Sequence, residues 1–536
     1  MPRTVREATF DVLRRRDLTT IFANPGSTEV PFLGGFPDDL GFVLGLHEGA
    51  VVGLASGWAI GRDAPALALL HTTAGLGTAV SALATARVNR APLVVVVGQQ
   101  DRRHLAYEPF LAGRLAGLAG EYPVRVEQPA QAQDVPSAVE RAFHAAATAR
   151  GPAVVIVPMD DWAAPADEER EPAAAVGPVL RAAAAGSGAV DALAAVLGES
   201  QAPALVVGAG ADDPESWAAL VELAEKLVAP VFQESFGARA GFPQDHHLFA
   251  GVLPADRRRL RERLAPHDVL LVVGAPAFRQ AGYAPGRFTE PRTRILVVSE
   301  DPEEVQRSPA EVAVLAPPAA VCRELALTLS TREVTPPDPP KRPPVPAPPV
   351  RSDPLLAGHV LAALAERLPR DTIVLEEAPV DRPEIHARLP AREPLGYLSA
   401  AMGGLGFAVP AAVGLRMALP HRPIVAVVGD GAAIYGVPAL WSAAHYKVGA
   451  VFVVLSNGGY VVLDRLAQLH GAAGPWPSFE EVELAAIARG FGCPARRIET
   501  HDELVAILDE VVPSLGGRDQ PLLLDVVIAP TEEFAP

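Results

Sequence analysis

Cysteine is almost missing from this 536-residue chain: Cys322 and Cys493 stand far apart, without metal-ligand spacing. Neither a disulfide framework nor a structural zinc site is expected, and a reducing compartment is the natural home. Basic residues are in deficit too. The 46 Lys and Arg face 63 Asp and Glu, a formal net charge of −17, which argues against nucleic acid or anionic membrane as partners. The plainer meaning of that excess is a solvated acidic surface. No apolar run approaches the ~20 residues that cross a bilayer as a helix; Ala91 to Gly98 is typical. The N-terminus, Met1-Pro2-Arg3-Thr4-Val5-Arg6-Glu7, opens a charged amphipathic helix pattern where a secretory signal would be apolar. A soluble, cytoplasmic protein with no membrane contact is expected.

What the chain does have is apolar material for several cores. Hydrophobic residues make up 49% and charged residues 20%, and roughly 150 residues per domain gives three or four domains. Two composition breaks divide it. The segment Asp160 to Val190 is acidic and then Ala/Gly-rich, and Pro336 to Pro349 holds nine prolines in fourteen residues. As polyproline II, at ~3.1 Å per residue, the latter spans about 43 Å. The resulting division is an N-terminal domain over residues 1–165, a central domain over 185–332, a Pro-rich linker over 333–350 and a C-terminal domain over 351–536.

Each block alternates short apolar runs with amphipathic helical patterns. The runs include Ala66–Leu70, Leu93–Val97, Ala204–Val207, Val269–Val273, Ile424–Val428 and Val451–Leu455. Continuous apolar strands between helices read as parallel sheets covered on both faces. The fold class is therefore α/β, with three doubly wound parallel-sheet domains. In such sheets ligands bind beyond the carboxyl ends of the strands.

Gly429-Asp430-Gly431 lies at one of those ends. The glycines let backbone amides approach an anion, and the Asp can ligate a hard cation such as magnesium. Asn457 follows the next strand pattern, 27 positions later, the length of a strand–helix–strand unit that returns to the same sheet edge. Its amide oxygen suits a second ligand, and a carbonyl near Gly459 a third. Alone, a Gly-Asp-Gly turn is most often only a tight loop; the spacing to Asn457 favours a metal–diphosphate site.

Leu405 to Tyr460 resembles the diphosphate-binding domain of thiamine-diphosphate enzymes, whose signature is Gly-Asp-Gly, about 25 residues, then Asn-Asn. Here Ser456-Asn457 replaces the pair, keeping the second Asn. The N-terminal block is similar to the benzoylformate decarboxylase group through Asn24-Pro25-Gly26-Ser27-Thr28-Glu29, Leu46-His47-Glu48-Gly49-Ala50 and His71-Thr72-Thr73-Ala74-Gly75. Gly403-Gly404-Leu405-Gly406-Phe407 and Gly274-Ala275-Pro276-Ala277-Phe278-Arg279 extend the resemblance over nearly the whole chain.

The resemblance implies thiamine diphosphate held through Mg2+, with Ca2+ or Mn2+ as substitutes. Asp430, Asn457 and Gly459 would ligate the metal, and Gly403, Gly429, Gly431, Ala432 and Tyr460 would meet the cofactor. Glu48 would share a proton with the thiamine pyrimidine and so help generate the ylide; the bland alternative is a carboxylate stabilised by a helix N-terminus. Leu405 would wedge beneath the bent cofactor, or be an ordinary core Leu. Ser27 would orient the substrate carboxylate and His71 would serve protonation steps. The alternatives are a helix cap and a histidine satisfied after a buried strand. Asn24, Pro25, Gly26, Ala281, Val462 and Leu466 complete the implied substrate pocket.

The function so implied is a lyase that decarboxylates a 2-oxo acid to an aldehyde and CO2. One alternative is a carboligase or acyloin lyase using the same enamine; another is a degenerate, non-catalytic cofactor-binding subunit. A homodimer at least, and more specifically a homotetramer, follows from the family pattern of a site shared between subunits. Three departures bear on this. Ala281 stands where the group has a second catalytic His, Glu376-Glu377-Ala378-Pro379 replaces a hydroxyl-bearing run, and Tyr460 to Leu466 is bulkier than usual. Gly208-Ala209-Gly210-Ala211-Asp212 is an incomplete dinucleotide fingerprint, so FAD is not expected.

Overall fold

The apolar runs become strands because Val, Leu and Ile suit a pleated surface buried on both faces. The computed structural model describes residues 2–167, 169, 171–179, 186–336, 342–350 and 353–530. Residues 168, 170, 180–185 and 337–341 of the two expected linkers lie outside the described residues, as do 1, 351–352 and 531–536 of the flanking domains.

The N-terminal sheet contains β1 (Thr20–Asn24), β2 (Gly41–Leu44), β3 (Ala66–His71), β4 (Leu93–Gln99), β5 (Arg125–Glu127) and β6 (Pro152–Pro158), in the order β2-β1-β3-β4-β6-β5. The central sheet contains β7 (Pro203–Val207), β8 (Val231–Gln233), β9 (Phe249–Val252), β10 (Val269–Val273), β11 (Arg294–Ser299) and β12 (Val312–Leu315), in the order β12-β11-β10-β7-β8-β9. The C-terminal sheet contains β13 (Ile373–Glu377), β14 (Tyr397–Ser399), β15 (Ile424–Gly429), β16 (Val451–Ser456), β17 (Ala495–Ile498) and β18 (Leu522–Val527), in the order β14-β13-β15-β16-β18-β17. The described strand pairs are parallel throughout. The outer two domains thus share one strand order and the central domain has another.

The first and third domains, far apart in sequence, meet within the chain. Helix Glu48–Arg62 lies along helix Ala408–Ala418, and residues of both sheets join one apolar core. Small residues permit the close crossing. A Cβ on Gly57 would collide with the Ala411 carbonyl, and one on Gly414 with the Leu54 carbonyl. Asn89 ties the domains again, donating to the Ser399 carbonyl at 2.9 Å and accepting from the Ala401 amide at 3.0 Å. The middle of the Glu48 helix is therefore braced by the C-terminal domain.

In the central domain the Gly208–Gly210 turn packs against the backbone of Gly274 and against Glu234. There the glycines serve close approach between two strand ends. Both cysteines are buried and free. Among the described residues, no helix is long and apolar enough to cross a membrane.

Candidate active site

The carboxyl ends of β1, β2 and β3 lie side by side, and they gather the N-terminal candidates. Asn24 closes β1, and its Nδ2 donates to Glu48 Oε1 at 3.0 Å. Glu48 is the first residue of its helix and half-buried, a position where the helix dipole favours a negative charge. His47 caps that helix, its Nδ1 accepting from the Gly49 amide at 3.0 Å.

His71 ends β3, and its ring packs so closely on the β1 loop that a Cβ at Gly26 would meet it at 2.5 Å. Its partner is a residue that sequence reasoning passed over. Glu29 is buried, and Gly98 makes room for its carboxylate. Glu29 Oε2 accepts from the Gly26 amide at 2.7 Å, and Oε1 accepts from Thr28 Oγ1 at 2.5 Å. His71 Nδ1 faces Oε2 at 2.9 Å and Thr28 Oγ1 at 3.0 Å. With both carboxylate oxygens accepting, the ring proton belongs on Nδ1, and Nε2 is left as the basic nitrogen. A signal was present: an acid two residues after Ser27, in the same loop, is the type of group that orients a histidine. The backbone after His71 is strained, with Thr72 at φ 35°, a conformation that β-branched residues rarely adopt. Ser27 is exposed on this loop.

The second cluster sits at the ends of β15 and β16. Asp430 is buried; its Oδ2 accepts from the amides of Asn457 at 2.9 Å and Gly458 at 2.7 Å, and its Oδ1 from Gly431 at 2.7 Å. Burial pushes its pKa up, against those three amides. Asn457 Oδ1 faces the Gly459 amide at 3.2 Å. The Tyr460 ring covers Gly431 and packs edge-on against Phe479, with ring centroids 5.1 Å apart. Gly429 ends β15, and Ala432 is buried in the short helix that Asp430 begins. A carboxylate and a side-chain amide oxygen are both oxygen donors, which fits a hard divalent cation. A buried carboxylate with lone pairs remaining also favours one electrostatically.

Glu376 and Glu377, which replace the hydroxyl run, have structural work. Glu377 is buried and accepts from the amides of Gly406, Phe407 and Ala408, fixing the loop that carries Gly403 and the partly exposed Leu405. Burial pushes its pKa up to about 7. Glu376 accepts from the Ala378 amide at 2.8 Å, Arg382 Nε at 2.7 Å and Tyr397 Oη at 3.0 Å.

Ala281, Val462 and Leu466 belong to a third place, a cavity of about 970 Å³ between the central and C-terminal domains. Asn24, Ser27 and His71 do not line it. Among the described residues, no hydrogen bond or ion pair joins Glu48 or His71 to Asp430 or Asn457. Within one chain the candidates thus gather in two clusters, at the edges of two different sheets, with no direct polar contact between them.

Family models for thiamine pyrophosphate enzymes match in order: the N-terminal TPP binding domain over residues 3–117, the central domain over 190–325 and the C-terminal TPP binding domain over 384–526. The chain belongs to the thiamine pyrophosphate enzyme family. A benzoylformate decarboxylase from Pseudomonas aeruginosa is 39% identical over 546 aligned residues, covering 100% of both chains. The solved 4-hydroxybenzoylformate decarboxylase of Rhodococcus jostii superposes with a TM-score of 0.93 at 34% identity, over 99% of this chain and 100% of that one. Benzoylformate decarboxylase from Polynucleobacter necessarius gives 0.92 at 31% identity, over 100% of both. These family members share the three parallel sheets, and the outer two domains are the ones that bind thiamine diphosphate.

Proposed function

We propose that this chain is a thiamine-diphosphate-dependent lyase that decarboxylates a 2-oxo acid of benzoylformate type to an aldehyde and CO2. The observation that carries this reading is the pairing of two prepared clusters. Asn24–Glu48 and Glu29–His71 share one sheet edge, while Asp430 and Asn457 share another, in a chain aligned end to end with a benzoylformate decarboxylase. When bound, thiamine diphosphate supplies the nucleophilic carbon and the electron sink that loss of CO2 requires.

Asp430, the Asn457 side chain and the Gly459 carbonyl would hold the Mg2+, with Ca2+ or Mn2+ able to substitute. Gly429, Gly431 and Ala432 would present backbone to the diphosphate, and Gly403, Leu405 and Tyr460 would meet the rest of the cofactor. Glu48, steered by Asn24, receives the pyrimidine. Ser27, with Pro25 and Gly26 shaping its loop, donates to the substrate carboxylate. His71 Nε2 takes up and returns the proton while Glu29 holds Nδ1–H. Ala281, Val462 and Leu466 wall the space for the substrate's remote end.

Two copies complete the site, the Glu48 edge of one facing the Asp430 edge of the other. The working enzyme is a homodimer at least, and a homotetramer by pairing of dimers. CO2 release from a panel of 2-oxo acids, with thiamine diphosphate and Mg2+ added, tests the activity; no release from any of them removes it. A monomer with full activity in ultracentrifugation removes the shared site.

Ala281 favours a second reading, carboligation. With no imidazole at 281, product protonation has one donor fewer, and capture by a second carbonyl competes. Chromatography of reactions with added benzaldehyde detects a 2-hydroxy ketone if this reading holds, and none if it fails. For a non-catalytic subunit, turnover would be absent both before and after Glu48→Gln.

A further inference from the structure

The 970 Å³ cavity is at the upper end of the range for small-molecule sites, and an unsubstituted aromatic 2-oxo acid leaves much of it unfilled. Most of its wall is apolar. The polar side chains that the C-terminal domain contributes are Arg382 and His386, four residues apart on helix Arg382–Arg388 and so on one face. Several central-domain polar residues in the wall have partners: Asp245 pairs with Arg370 at 2.8 Å, Gln244 is bonded to Gln233 and to the Ala391 amide, and Asp256 caps a helix; Arg259 and His247 also line the wall and are solvent-exposed, not held from behind as Arg382 is.

Arg382 is held from behind. Its Nε donates to Glu376 Oε2 at 2.7 Å, and Glu376, fully buried, is fixed in turn by Tyr397 Oη and the Ala378 amide. This single-nitrogen grip leaves the Nη groups without a hydrogen-bond partner among the described residues, and the side chain keeps 20% of its exposure. A guanidinium so anchored presents its fork to a planar or anionic acceptor at small entropic cost.

His386 packs its ring on Tyr397, with centroids 4.7 Å apart, and its Nδ1 is buried without a hydrogen-bond partner. Burial lowers its pKa to about 4, so the ring is neutral and carries a single N–H. An orphaned buried donor is rarer and costlier than an orphaned acceptor. The proton therefore sits on Nε2, which is available to the cavity as a donor.

We infer that Arg382 and His386 form a recognition pair for an oxygen acceptor, phenolic or carboxylate, at the end of the substrate remote from its 2-oxo acid. This rests on the decarboxylase reading above and narrows its substrate class. The rest of the C-terminal domain's share of the wall, Val462 and Leu466 included, is apolar and favours an unsubstituted ring equally well.

The test compares kcat/KM of the holoenzyme for 4-hydroxy-, 4-carboxy- and 4-methylphenylglyoxylate, the last being apolar and similar in size. At least one oxygen-bearing acid should exceed the methyl compound by about tenfold, mainly through KM, and which one does so identifies the acceptor. His386→Phe should collapse that ratio, and His386→Gln, which keeps an N–H donor, should restore part of it. A ratio near one in the parent enzyme, or a ratio untouched by His386→Phe, overturns the inference. Because the ratio is taken within each variant, a partly misfolded preparation does not mimic the result. If no acid releases CO2, the decarboxylase reading falls, and calorimetry with unreactive 4-hydroxy-, 4-carboxy- and 4-methylmandelate still decides. Tighter binding of an oxygen-bearing compound that His386→Phe removes sustains the pair; equal affinities overturn it.

Discussion

Replacing Glu29 by Gln preserves the side chain's shape and changes only what its second terminal atom can do. The carboxylate accepts at both oxygens, from Gly26 and Thr28, and meets His71 Nδ1 at 2.9 Å. The amide has one oxygen. If its NH2 takes the Oε2 position, it opposes the Gly26 N–H and forces His71 Nδ1 to accept, moving the ring proton to Nε2. If the amide turns over, Thr28 loses its acceptor. An unsatisfied buried donor costs about 1–3 kcal/mol of stability, which a domain of this size survives. The effect on catalysis is larger. A positioned acid–base group contributes about 10²–10⁴-fold, and a ring in the wrong tautomer forfeits most of that. kcat/KM should fall by about 10²–10³-fold, or about 2.7–4 kcal/mol at 1.36 kcal/mol per tenfold. Steady-state CO2 release across pH 5–9 measures this, with thermal melting and cofactor titration on the same samples as controls. A variant retaining more than half its kcat/KM, with an unchanged pH profile, would refute the orienting role of Glu29.

Asp430→Asn, which leaves one oxygen where two accept three amides, should weaken Mg2+-dependent cofactor binding by at least about 10²-fold; calorimetric titration with and without Mg2+ reads it, and equal affinities would count against the metal site. Glu234 is buried with Oε2 unpartnered, and burial pushes its pKa up from 4.5 to about 7, with Glu304 adding to the shift and Arg279 opposing it. The native state therefore binds more protons between those values, so this group's contribution to stability falls as pH rises from 4.5 through 7. Glu234→Gln should melt higher than the parent at pH 8 and close to it at pH 5; the reverse order would contradict the burial argument. Gly414→Ala places a methyl against the Leu54 carbonyl and should cost about 1–3 kcal/mol by overpacking, seen as a lower melting temperature; an unchanged one would mean that the helix crossing is looser than described.

Most of the α/β architecture was legible from short-range pattern. The runs Leu93–Val97 and Ile424–Val428 lie within β4 and β15 because both faces of a parallel strand are buried, so the apolar run is unbroken. The spacing from Asp430 to Asn457 was equally readable, since adjacent parallel strands return to the same edge after a helical crossover, here the two short helices Asp430–Gly436 and Pro438–His445. Glu29 was not. It is polar in a motif full of polar residues, and its partner lies 42 positions away on a strand that only the sheet order makes a neighbour. Nor did the sequence mark Glu376 and Glu377 as organisers of the Leu405 loop and of Arg382. Their partners are backbone amides, an arginine and the Tyr397 hydroxyl, which carry no local signature.

By itself, then, the amino-acid order determined what depends on near neighbours: strand and helix periods, the turn around Asp430, and the family motifs. The packing of the Glu48 helix on helix Ala408–Ala418, the Glu29–His71 contact and the gathering of the candidates in two clusters were decided by the tertiary structure. The physical reason is range. Backbone sterics and hydrophobic period act over a few residues, whereas these contacts exist only once three sheets have assembled and apolar burial has chosen which faces meet.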